Sequence, residues 1–220
     1  MNLDEDILKR TYFIGGPPRV GKSLLAYKLA TQIGGHVVST DSIRNAAKKA
    51  CSDKESDLFI INKTENISKE EWLDRHLNRP EEVVEFQNRE SKAVWPSVVS
   101  FCSSFAEDQA IHIVEGVALL PLLVAQVQPK VKNIFYIGNT NNEHIEGMMK
   151  YAKDFPEQDW MMAMGYDVKQ FQGMAAFIKS MSFYFKEEAQ KYGFPYYEID
   201  DFNFESSLEK IVQKMTTKII

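Results

Sequence analysis

Several things are scarce in this chain. Cysteine occurs twice, at Cys51 and Cys102, in no metal-ligand spacing. That excludes a disulfide scaffold and a cysteine metal cluster, and it suits a reducing cytosol. Positive charge is in deficit: 26 lysines and arginines face 31 aspartates and glutamates, a net charge of −5. The basic surface that a nucleic acid needs is therefore missing. No arginine follows Arg89. No apolar run approaches the roughly 20 residues a membrane span requires, and the acidic start, Met1-Asn2-Leu3-Asp4-Glu5-Asp6, is unlike a secretory signal. Repeats, low-complexity tracts and obvious linkers are absent as well. What remains is a 220-residue chain able to bury a sizeable core without staples, expected as one cytoplasmic domain over residues 1–220. The sequence sets no oligomeric state.

Against that background one motif stands out. Residues 11–23 contain Gly16-Pro17-Pro18-Arg19-Val20-Gly21-Lys22-Ser23, the full spacing of a phosphate-binding loop. Glycines at this spacing permit a tight turn that brings backbone N–H groups against a phosphate chain. Lys22 can then reach the β- and γ-phosphates, and the Ser23 hydroxyl can ligate Mg²⁺. The apolar run Tyr12-Phe13-Ile14 supplies the strand before the loop. After it, Leu24, Leu25, Tyr27, Leu29 and Ala30 recur at helical spacing as far as Gly34, so the loop opens a helix whose N-terminus favours anions. Nucleotide contact is expected from Gly16 through Ser23 and on to Leu24.

Five apolar runs, at residues 12–14, 36–39, 111–114, 131–137 and 195–199, alternate with helical patterns. This is the layout of an α/β fold, a parallel sheet covered by helices on both faces. Two connections exceed a simple crossover. The first, about 42–105, is read as a helical insertion with a polar middle and with Val84, Phe86, Val94, Val98 and Phe101 at mostly helical spacing. The second, about 139–175, is read as a lid with Gly147 and Gly165 as hinges. His112 sits in an apolar run and reads as a sheet histidine. Ser206-x-x-Glu209 reads as the capping box of a closing helix whose buried face is Leu208, Ile211, Val212 and Met215.

Two strand ends carry further chemistry, because ligands of such sheets bind outside the carboxyl ends of the strands. The second strand runs into Ser39-Thr40-Asp41-Ser42-Ile43-Arg44. The Asp41 carboxylate can accept a hydroxyl proton, and the Arg44 guanidinium can grip an anion bidentately. The plainer alternative makes Asp41 the N-cap of the next helix and leaves Arg44 solvated. The third strand ends in Val114-Glu115-Gly116, where an acid can hold Mg²⁺ through water and Gly116 can leave room for a substrate. The alternative there is a glutamate merely exposed at a strand end. Asn62-Lys63-Thr64-Glu65 superficially resembles a guanine-reading tetrapeptide, but it precedes the third strand and is expected to be a solvated loop. With no arginine in the lid, Lys150 and Lys153 are the cations expected to reach over the phosphates.

Taken together, Gly16 to Ser23, Ser39-Thr40-Asp41-Ser42-Ile43-Arg44 and Val114-Glu115-Gly116-Val117 with Pro121 resemble the 2-phosphoglycerate kinase group of P-loop kinases. That group stands beside shikimate, gluconate and adenylate kinases and the zeta toxins. The resemblance implies a three-layer sandwich with sheet order 2-3-1-4-5, a substrate-binding insertion after the second strand, and a mobile lid between the fourth and fifth. By that analogy Gln87 and Arg89, with Arg75 and Arg79 before them, are substrate contacts. The implied activity is ATP- and Mg²⁺-dependent phosphorylation of a hydroxyl on a small, anionic metabolite. A nucleoside, nucleotide or zeta-toxin-like sugar-nucleotide kinase is the nearest alternative. A nucleotide-binding regulatory protein of low turnover, favoured by the lid's lack of arginine, is the alternative of a different class.

Overall fold

Three of the five strands are apolar almost end to end, and the reason is that both of their faces are covered. The structure is a computed structural model; it describes residues 3–142 and 144–216, and at residues 64 and 65 the backbone alone. In chain order the elements are α1 (Glu5–Lys9), β1 (Thr11–Gly15), α2 (Lys22–Ile33), β2 (His36–Ser39), α3 (Thr40–Ala50), α4 (Ile60–Glu65), α5 (Lys69–Asn78), α6 (Pro80–Ser103) and β3 (His112–Gly116). There follow α7 (Pro121–Ala125), β4 (Ile134–Gly138), α8 (His144–Asp154), α9 (Trp160–Ala163), α10 (Val168–Lys191), β5 (Tyr196–Glu198) and α11 (Phe204–Thr216).

The sheet is all-parallel with order β2-β3-β1-β4-β5 and helices around it, a P-loop-like three-layer α/β fold. Every residue of β1, β3 and β4 is buried, whereas the edge strands β2 and β5 are not. The order places β1 at the centre, so the loop that leaves it emerges between β3 and β4. On the sheet, α2 packs against β1, β2 and β3 and carries α11. Elsewhere α10 lies along β4 and holds α5, α6 and α8. Ile14 and Leu25 are fully buried where β1 meets α2, and truncating either to alanine should cost about 2–5 kcal/mol.

The expected long connections are helical, α3 to α6 in the first and α8 to α10 in the second. His112 is buried in β3, stacked on Phe105 at 3.7 Å with Nε2 3.1 Å from Asp108, a sheet histidine as expected. On α2, a helix up to Gly34 as expected, Leu24 and Tyr27 are 45% and 62% exposed, because the buried face is Lys22, Leu25, Ala26 and Leu29 at i, i+3, i+4 and i+7. Two local expectations need correction. The tetrapeptide at residues 62–65 is not a loop but lies within α4, exposed at Asn62 and Lys63, with the side chains of residues 64 and 65 outside those described. Ser206 does not cap α11, which starts two residues earlier; its face of Leu208, Ile211, Val212 and Met215 is buried as expected.

Candidate functional site

The loop between β1 and α2 is shaped by steric necessity. Gly16 has φ +148°, and a Cβ there would lie 2.1 Å from the Ile137 carbonyl oxygen, so no side chain fits where the chain passes β4. Arg19 is the single non-glycine residue with positive φ among the described residues, at +60°, and Gly21 follows at +89°. Val20 is fully buried and anchors the loop from below. Pro17 is buried, while Pro18, Arg19 and Gly21 are partly exposed at the surface the loop presents.

What this loop delivers is an unmatched positive pole. The side chains of Asp4, Ser39, Ser68, Asp159 and Asp167 cap α1, α3, α5, α9 and α10. Like the short helices α4 and α7, α2 has no side-chain cap and no acid in its first turn. Its first N–H groups lack intrahelical partners and carry the positive end of the helix dipole. Lys22 opens the helix and is buried, its Nζ donating to the Pro17 carbonyl at 2.5 Å. Burial lowers its pKa, against the pull of Glu115 and Asp41, which raise it. Among the described residues no carboxylate lies within ion-pair distance of Lys22. A lysine held dry, beside free N–H groups, is suited to phosphate oxygens.

Sheet register brings the strand-end residues alongside. Glu115 pairs with Ile14 of β1 on one side and Ser39 of β2 on the other, and Gly116 pairs with Gly15. Glu115 is 5% exposed, so it is not a solvated strand end. Ser23 is exposed in the first turn of α2. The Ser23 hydroxyl and the Glu115 carboxylate are hard oxygen donors, the kind Mg²⁺ takes. The space beside Gly116 is filled from within: a Cβ there would fall 1.8 Å from Thr40 Oγ1. Gly116 thus makes room for Thr40 rather than for a substrate. Ser39, not Asp41, caps α3, its Oγ accepting from the Asp41 N–H at 3.2 Å. Asp41 sits one position into the helix with a half-exposed carboxylate, 3.3 Å from Arg44.

The insertion keeps its arginines paired. Arg44 Nη1 lies 3.5 Å from Glu90 Oε2 and Lys48 Nζ 2.6 Å from Glu90 Oε1, with the Glu90 side chain only 1% exposed. These contacts tie α3 to α6 across 46 residues of chain. Arg75 meets Glu71 at 2.6 Å, Arg79 meets Asp74 at 2.7 Å, and Arg89 meets Asp57 at 2.7 Å. Gln87 contacts Ser91 one turn on. Arg89 is thus held on the outer face of α6 by Asp57, while Gln87 is half-buried.

Over the loop lies the second long connection. Arg19 Nη2 donates to Asp159 Oδ2 at 2.6 Å, with side chains 10% and 0% exposed, and the guanidinium stands 5.9 Å from the Phe171 ring. Burial acts to raise the Asp159 carboxyl, but hydrogen bonds from Arg19 and from the Met162 and Met161 N–H groups hold it below the ordinary aspartate range. Asp159 therefore caps α9 and fastens it to the loop between β1 and α2. Behind it Trp72 stacks on His76 at 3.6 Å and meets Tyr166 edge-on at 5.5 Å, joining α5 to this segment. Lys150 and Lys153 are exposed on α8, and among the described residues no hydrogen bond or ion pair ties either to the loop. Of the expected hinges, Gly147 is inside α8 against Asp201, and Gly165 has φ +71° between α9 and α10.

Sequence reasoning missed Asp159 and Glu90. Asp159 before Trp160-Met161-Met162 carries a readable helix-start signal, but its pairing with Arg19, 140 residues away, has no local trace. Neither protein-family models nor curated protein sequences give a match to this chain.

Proposed function

We propose that this protein is an ATP- and Mg²⁺-dependent phosphotransferase that acts on a hydroxyl of a small metabolite, similar to the 2-phosphoglycerate kinase group. The observation that carries this reading is the uncapped N-terminus of α2 with the buried, unpaired Lys22 at its head, flanked by Asp41 and Glu115 at the ends of neighbouring strands. Phosphoryl transfer asks a protein for positioning and charge neutralisation more than for covalent chemistry. The acceptor hydroxyl oxygen forms a bond to the γ-phosphorus while the bond from that phosphorus to the β-bridging oxygen breaks, and ADP leaves. Asp41 takes the hydroxyl proton. The loop N–H groups and Lys22 hold the phosphate oxygens. Ser23 and Glu115 would hold Mg²⁺, which when bound neutralises charge on the phosphates.

The test is to incubate the protein with ATP, Mg²⁺ and a metabolite pool and to read phosphorylated products by mass spectrometry. Lys22→Ala should lower product formation by about a hundredfold or more. Undiminished product from that variant would remove the loop from the chemistry. One observation favours a second reading, a nucleotide-binding protein of low turnover: each of the six arginines stands within 3.5 Å of a carboxylate. Tight ATP binding with no acceptor-dependent ADP release would favour it.

A further inference from the structure

From the contact between Arg19 and Asp159 we infer that Asp159 is a positioning residue for nucleotide binding: it holds Arg19 in the left-handed turn that aims the loop N–H groups at phosphate. The inference rests on the phosphotransfer reading above. Arg19 has φ +60°, the single positive φ at a non-glycine residue among those described. An L-residue resists that conformation, because its Cβ crowds the following carbonyl. Glycine would take it freely, so an arginine in this place needs something to hold it. The turn matters because successive N–H groups converge where left-handed and right-handed backbone alternate, forming a concavity for anions. Gly21 at φ +89° and the uncapped start of α2 continue that arrangement.

The hold on Arg19 comes from outside the loop. Its Nη2 donates to Asp159 Oδ2 at 2.6 Å, the only hydrogen bond of that guanidinium among the described residues. Arg19 Nε is buried and has no partner there, and the Phe171 ring stands 5.9 Å away. The two side chains are 10% and 0% exposed, so solvent does not weaken the contact as it does at a surface pair. The Asp159 carboxylate divides its work between its oxygens. Oδ1 accepts from the Met161 and Met162 N–H groups at 2.9 and 3.1 Å, while Oδ2 serves Arg19. In Asp159→Asn the amide oxygen can still cap α9, but an NH₂ group then faces the guanidinium, donor against donor. Arg19 loses its anchor while α9 keeps its cap. Asp159 thus acts on the nucleotide through the loop backbone, from 140 residues along the chain.

The experiment measures the Kd for ATP with Mg²⁺ by calorimetry on folded protein, so lost stability alone does not move the result. Asp159→Asn should weaken binding about tenfold or more, as loss of pre-organisation does. Arg19→Gly combined with Asp159→Asn should return to within about threefold of wild type, because glycine keeps the turn without an anchor. Arg19→Ala combined with Asp159→Asn removes the same charges but resists the turn, and should bind about fivefold more weakly than the glycine version. Equal affinity of the glycine and alanine versions overturns the inference, while ATP binding by wild type leaves the nucleotide reading standing. Wild-type affinity in Asp159→Asn overturns it as well. If Asp159→Asn does not fold, the two double variants, which bury no unpaired charge, decide the matter alone. No ATP binding by wild type sinks the phosphotransfer reading and this inference with it.

Discussion

The Gly16 to Ser23 loop and the arginines of the helical insertion treat positive charge in opposite ways. In the loop, Lys22 is buried without a carboxylate in ion-pair range, and α2 starts with neither a cap nor an acid. In the insertion, Arg44, Arg75, Arg79 and Arg89 each face a carboxylate. The first arrangement leaves a positive pole that an external anion can satisfy. The second matches its arginines internally, whereas Lys49 on α3 and Lys92 on α6 are exposed and meet no carboxylate among the described residues. The contrast also runs through the loop itself, since Arg19, three residues from Lys22, is matched by the fully buried Asp159.

The sharpest test of that contrast is Asp159→Ala. It would leave the Arg19 guanidinium in a site only 10% exposed, and breaking a buried pair from one side costs about 3–5 kcal/mol. Urea denaturation should show a loss of that size. The double variant Arg19→Met with Asp159→Leu should recover most of it, because two apolar groups strand no charge. A loss below about 1 kcal/mol for the single variant would mean that the pair is solvated and does not fasten α9 to the loop.

Next in size is a pH effect from the aromatic stack behind this contact. Burial, the largest cause, lowers the His76 pKa to about 4 against 6.5 in the unfolded chain, with Arg75 adding to the fall. His76 Nδ1 donates to the Trp72 carbonyl at 2.8 Å, which works the other way. Between those two pH values the unfolded chain binds a proton that the folded chain refuses. The contribution is fully present above pH 6.5 and lost as pH falls towards 4, about 3 kcal/mol in all. Replacing His76 with Phe should flatten the stability profile in that window. An unaltered slope would assign the acid loss to other groups.

The smallest effect is expected on the outer face of α6. Arg89 and Asp57 are 44% and 43% exposed, and an exposed pair contributes roughly 0–1 kcal/mol. Asp57→Ala should shift the urea midpoint barely at all and leave the proposed phosphotransfer unchanged. A large loss of product would bring Arg89 back as a substrate contact and show that its pairing with Asp57 matters to the site.

The local parts of the site were legible. Glycine spacing announces the loop, the apolar run before it announces β1, and the apolar runs announce all five strands, but the β-branched and aromatic runs of β2 and β5, which read as buried strands, lie at the sheet edges and are only partly buried. Ser39, the cap of α3, stands two positions before Asp41, the cap of the plainer alternative. A cap needs only a short polar side chain reaching to an N–H, so Ser39 and Asp41 look alike as candidates in sequence. The exposed side of α2 was harder: Leu24 and Tyr27 are apolar yet outside the buried face, and periodicity fixes the spacing of a stripe better than its width.

By itself, then, the sequence determined the α/β class, the position of the glycine-rich loop between β1 and α2, and the strand ends that supply Asp41 and Glu115. These follow from short-range patterns and from the rule that such sheets present their carboxyl ends to ligands. Only the tertiary structure decided which cations are available. The pairs Arg19 with Asp159 and Lys48 with Glu90 join residues 140 and 42 positions apart. An ion pair depends on two side chains meeting within 4 Å in a place from which water is excluded, and nothing in the spacing along the chain records that meeting.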